Sequence, residues 1–164
     1  MPTRRRFLGA AAGSTFAGLA GAGVWSRSAS GVPGPELARP IRIAIVTTVW
    51  TYQSHAQHMG DRFLIGYPWQ GHWHRPPIQV VSLYVDQKPE GDLSTQRAAD
   101  HGFTVYPSIA EALRCGSGKL AVDGVVIIAE HGKYPINEKG QVLYPRFEFF
   151  QEAVKVFEQD GRAV

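Results

Sequence analysis

Short, continuously apolar runs alternate along this chain with stretches whose apolar positions recur every three or four residues. The first run, Ile41-Arg42-Ile43-Ala44-Ile45-Val46, is β-branched and reads as a buried strand. Ser54-His55-Ala56-Gln57 is a capping box, with Ala56, Met59 and Phe63 following at helical spacing and Gly66 as the stop. Tyr67 to Pro77 reads as an aromatic, proline-rich loop, and Gln79 to Asp86 as a second strand. Leu93 to His101 predicts a short helix closed by Gly102, and Phe103-Thr104-Val105-Tyr106 a third strand. A second capping box, Ser108-Ile109-Ala110-Glu111, opens a helix through Arg114 that stops by Gly116. Val122 to Ala129 contains the most apolar strand. Phe147, Phe150, Val154 and Phe157 are expected to line the buried face of a last helix ended by Gly161, with Ala163-Val164 starting a further strand.

Strands that alternate with helices and are apolar throughout predict the α/β class, an open parallel sheet with helices on both faces. Of the 164 residues, 44% are apolar and 19% charged, enough for one cored domain. The formal charge of +3 is carried by the start of the chain. Arg4, Arg5, Arg6 and Arg27 fall in the first 30 residues without an acid, and residues 31–164 carry 13 basic against 14 acidic groups. The body therefore has no basic excess with which to bind nucleic acid. The single cysteine, Cys115, excludes an internal disulfide and a cysteine-rich metal site.

Thr3-Arg4-Arg5-Arg6-Phe7-Leu8 precedes an uncharged, small-residue stretch from Phe7 to Val24 with five glycines. A basic start, an apolar middle and a small-residue exit at Ser28-Ala29-Ser30 form an export signal, and the paired arginines before Phe-Leu resemble the twin-arginine signal of bacteria. Residues 1–30 are read as that signal, addressed to the twin-arginine export machinery and leading to the periplasm or another extracytoplasmic site. A membrane anchor is the alternative, although glycine and alanine make a weak span of ~20 residues. Residues 31–40, with three prolines and two glycines, read as a linker before a domain at 41–164.

The order of the elements carries a family resemblance. Strand Ile41–Val46, a histidine-bearing helix, a strand ending in Asp86, Tyr106-Pro107-Ser108 leading into Glu111-Ala112-Leu113, and Val122-Asp123-Gly124-Val125-Val126-Ile127 resemble the N-terminal Rossmann domain of the Gfo/Idh/MocA family. The resemblance implies a Rossmann-like sheet, NAD or NADP as cofactor, and a sugar or polyol as substrate of an oxidoreductase. Two features depart from it. The Gly-x-Gly-x-x-Gly turn expected after the first strand is replaced by Thr47-Thr48-Val49-Trp50-Thr51-Tyr52, without a glycine. The family's Glu-Lys-Pro stretch and its second domain would follow Ala163-Val164, so a catalytic residue is not assigned and the domain is expected to be inactive alone. Two functions stand side by side: an NAD(P)-binding domain of an exported oxidoreductase, or a non-catalytic Rossmann-like binding or interaction module without nucleotide.

The candidate cofactor-binding residues are Thr47, Thr48, Val49, Trp50, Tyr52, His55, Asp86, Glu130 and His131. Asp86 ends a strand where the fold places the acid that bonds ribose hydroxyls, and equally could be an ordinary strand-end acid. Glu130-His131-Gly132-Lys133-Tyr134 begins a long polar loop after the most apolar strand, on the side where open α/β sheets bind ligands. His55 and His58 lie three apart on the first helix and His72 and His74 flank Trp73, but no HExxH-type frame accompanies them and no metal site is assigned. Tyr67, Trp69 and Trp73 form either a substrate platform or a cover over the sheet edge.

Overall fold

The structure, a computed structural model, describes residues 39–164. The export signal and nearly all of the linker lie outside the described residues. The elements are β1 (Ile41–Thr47), α1 (His55–Ile65), β2 (Tyr67–Trp69), β3 (His72–His74), β4 (Ile78–Val85), α2 (Ser94–His101), β5 (Thr104–Tyr106), α3 (Ile109–Arg114), β6 (Gly124–Ile128) and α4 (Arg146–Asp160).

β1, β4, β5 and β6 form one parallel sheet in the order β5-β4-β1-β6. The chain steps outward from β1 to β4 and β5, then crosses back to β6 on the other side of β1. Right-handed crossovers put helices of the two directions on opposite faces. Ile43 and Ile45 of β1 accordingly pack with Ala56, Phe63 and Leu64 of α1 and Ala98 of α2. Ala44 and Val46 point the other way, to Ile109 and Leu113 of α3 and Phe149, Ala153 and Val156 of α4. The fold is thus an α/β sheet flanked by helices on both faces, as the apolar pattern predicts.

The caps expected from the sequence are formed: Ser54 Oγ accepts from the Gln57 amide at 3.2 Å, and Ser108 Oγ from the Glu111 amide at 3.2 Å. α2 starts at Ser94 rather than Leu93, because Leu93 serves as its cap and donates its amide to Trp50 O. The segment expected as a loop at 67–77 contains the two-stranded hairpin β2–β3, which pairs with itself and not with the main sheet. Its turn uses positive φ at Gln70 and Gly71, and Trp69 and Trp73 remain exposed, so it does not cover the sheet edge by pairing.

Two helix faces differ from expectation. In α1 the buried positions are Ala56 and Gly60, and Met59 is 44% exposed. In α4 the buried positions are Phe149, Ala153 and Val156, whereas Phe147 and Phe150 are 65% and 57% exposed. α4 carries two apolar stripes, and the one containing the small Ala153 lets the helix approach the sheet closely. Asp160 closes the pairing of α3 with α4 by accepting from Arg114 at 2.8 Å and 3.0 Å and from the Leu120 amide. Ala163 and Val164 form no strand.

Candidate functional site at the carboxyl ends of β1 and β6

The strand order reverses at β1, and ligands of open α/β sheets bind outside the carboxyl ends of the strands at such a reversal. The loops that leave β1, β4 and β6 meet there. The β1 loop turns inward. Thr47, Thr48, Val49 and Trp50 are all buried, and Trp50 is fully enclosed, stacking on Phe103 with ring centroids 6.3 Å apart. Thr47 Oγ1 donates to Ile128 O at 2.9 Å, and Thr48 Oγ1 donates to Glu130 O, so the two threonines tie the β1 and β6 ends together. Four of the nine candidate residues therefore hold the crevice in shape and do not line it. Tyr52 is 74% exposed.

At the head of α1 the Gln53 and Gln57 amides are taken up within the chain, and among the described residues the His55 and Ala56 amides have no acceptor. Gln53 sits at φ 62° and its amide donates to Gln57 Oε1, while Ser54 Oγ accepts from the Thr51 and Gln57 amides. These are groups that a dinucleotide site normally turns toward phosphate.

At the end of β4, Asp86 is exposed but both carboxylate oxygens are engaged. Oδ1 accepts from the Tyr84 hydroxyl at 2.9 Å and Oδ2 from the Tyr134 hydroxyl at 2.7 Å. Burial, then the hydrogen bond to Asp86 and its charge, pushes the Tyr84 phenol up to about 12, and the same causes in the same order raise that of Tyr134. Next to it, Gln87 clasps the β6 loop by donating to Lys133 O at 3.1 Å and accepting from the Lys133 amide at 3.0 Å. The crevice between β4 and β6 is thereby closed by the chain's own side chains. A Cβ at Gly132, which has φ 94°, would meet Tyr134 at 3.0 Å and Gln87 Oε1 at 3.1 Å.

Between β1 and β6 the structure brings three of the predicted residues together. His55, the first residue of α1, places Nδ1 2.8 Å from His131 Nε2 and 3.2 Å from Glu130 Oε2. The other carboxylate oxygen of Glu130 accepts from Arg146 at 2.9 Å. Arg146, which opens α4, was not legible as a site residue because sixteen positions separate it from Glu130; only the return of α4 to the sheet brings it back. His131 holds φ 66°, which a non-glycine residue adopts at a cost, and this aims its ring across the crevice at His55. The side chains of His55, Glu130 and Arg146 are 52%, 42% and 60% exposed, so the cluster is open to a ligand from solvent.

Among the described residues no group of three His, Cys, Asp or Glu side chains is arranged to hold a metal ion, and no helix is long and apolar enough to cross a membrane. No family profile, curated protein or solved structure matches this chain.

Proposed function

We propose that this chain is an exported, Rossmann-like binding module that works without a dinucleotide and takes a small polar ligand at the His55–Glu130–His131–Arg146 cluster. The observation that carries this reading is the internal engagement of three groups that a dinucleotide would use, with the His55 and Ala56 amides of α1 left open. The amides of Gln53 and Gln57 are capped by the chain's own side chains, and the Asp86 carboxylate holds two tyrosine hydroxyls. A nucleotide must break these bonds before it gains its own. By contrast, the imidazole–carboxylate–guanidinium cluster is exposed and lies at the strand-order reversal. Export rests on the Arg4-Arg5-Arg6-Phe7-Leu8 motif.

A second reading keeps the family resemblance whole: an NAD(P)-binding N-terminal domain of a sugar or polyol oxidoreductase. It is favoured by the order β5-β4-β1-β6 and by an acid just past the end of β4, where a ribose would lie. Calorimetric titration of the chain with NAD and with NADP separates the two. The module predicts no saturable heat with either cofactor. Micromolar binding that Asp86→Ala weakens by ~1–3 kcal/mol, the range for losing a hydrogen bond to a charged group, establishes the second reading instead.

A further inference from the structure

His55 and His131 contact each other through one nitrogen each, at 2.8 Å. A hydrogen bond between two imidazole nitrogens needs one proton between them, and a neutral imidazole carries one N–H and one bare nitrogen. If His55 Nδ1 donates, its Nε2 is bare, and His131, whose Nε2 accepts, carries its proton on Nδ1. If His131 Nε2 donates, the assignments reverse. Whichever way the shared proton lies, the pair turns one bare nitrogen and one N–H outward. Among the described residues neither His55 Nε2 nor His131 Nδ1 has a hydrogen-bond partner. The Glu130 carboxylate, 3.2 Å from His55 Nδ1 and held by Arg146, favours the proton on that nitrogen. His55 Nε2 is then the base and His131 Nδ1–H the acid.

The geometry points to a proton-transfer centre for carbonyl compounds that carry an α-hydrogen. His55 Nε2 removes a proton from the α-carbon as the C–H bond breaks and its electron pair forms the C=C bond. The carbonyl π pair moves onto oxygen, which takes the proton of His131 Nδ1. The shared proton passes from His55 Nδ1 to His131 Nε2. The product is the enol, both imidazoles remain neutral in their opposite tautomers, and the reverse pass regenerates the carbonyl compound. No oxidant, reductant or metal enters the balance. The two rings lie with their centroids 4.8 Å apart, so one small molecule can be offered both outer nitrogens only if it spans the pair. Glu130 and Arg146 are positioning residues, since they act through the state of His55. The strained φ of His131 is the backbone cost of this arrangement.

The proposal rests on the crevice being the ligand site, and its test is independent of nucleotide. The full chain is incubated with dihydroxyacetone in D2O without cofactor, and loss of the α-proton signal is followed by proton NMR beside an equal concentration of free imidazole. The expected result is exchange faster than free imidazole, falling by about 100-fold or more, the usual worth of general acid–base catalysis, in both His55→Gln and His131→Gln. Both side chains are exposed, and circular dichroism verifies that the variants fold. Nitrogen-15 spectra of the ligand-free rings should show coupled, opposite protonation of the facing nitrogens, disturbed by Glu130→Gln. Exchange no faster than free imidazole, exchange that survives either substitution, or two rings titrating as independent tautomers overturns the proposal. Shifts at His55 and His131 on adding dihydroxyacetone, without exchange, overturn the chemistry while leaving the binding module standing.

Discussion

Gly60→Ala tests the packing of Trp50 that turns the β1 loop inward. A Cβ built at Gly60 lies 2.5 Å from Trp50 Cζ2 and closer still to Cη2. The ring has no room to retreat, because Trp50 is fully buried and stacks on Phe103. Two effects compete. Alanine in a helix interior is favoured over glycine by roughly 0.8–1 kcal/mol. Overpacking a filled core costs about 1–3 kcal/mol, and a contact this short with an enclosed ring falls at the upper end. The clash wins, and the variant should lose about 1–2 kcal/mol. With an m-value of about 2 kcal/mol/M in urea, that moves the unfolding midpoint down by roughly 0.5–1 M at unchanged m. In a Trp50→Phe background the clash is relieved and the same substitution should become neutral or stabilising, a coupling within the roughly 0.5–3 kcal/mol seen between touching residues. A Gly60→Ala chain as stable as the parent would refute the placement of Trp50 under α1, and with it the explanation for the closed loop.

Two further outcomes follow from the described contacts and the N-terminal sequence. The raised phenols of Tyr84 and Tyr134 favour the protonated, folded form, so their stabilisation is complete below the ordinary tyrosine value near 10 and is lost as pH climbs through about 12 for Tyr84 and higher still for Tyr134; absorbance at 295 nm should show a late-titrating class that moves down in Asp86→Asn, and an unmoved class would contradict the Asp86 contacts. Replacing Arg4 and Arg5 together by lysine should retain the protein in the cytoplasm on cell fractionation, and undiminished export would remove the twin-arginine assignment.

The elements that the sequence reveals best are those with a local cause. The apolar runs at Ile41–Val46 and Val125–Ile128 and the serine caps at Ser54 and Ser108 appear where their patterns place them, since strand propensity and a hydroxyl accepting a free amide are set locally, although the reciprocal bond of neither capping box forms. The errors come where a choice is made in three dimensions. α4 offers two apolar stripes, and only docking on the sheet selects Phe149 over Phe147 and Phe150. The rejected stripe borders a groove of about 420 Å3 lined by Phe147, Phe150 and Val154. Trp50, a candidate cofactor-binding residue by its place after β1, becomes core because Gly60 leaves space for it. His55, Glu130 and His131 could each be nominated from their places at strand ends, but their contact depends on the positive φ of His131 and the return of Arg146.

In the proposed reading the ligand site is the β1–β6 cluster, and the Gln53 and Gln57 amides and the Asp86 carboxylate stay bonded within the chain when NAD is present. Amide chemical-shift mapping of the chain titrated with NAD reads both places at once. The account predicts no saturable shift at Gln53, Ser54, Gln57 or Asp86, whose groups are already bonded within the chain. Saturable shifts at those residues, running from the head of α1 to the end of β4, would contradict it and restore an NAD-binding domain.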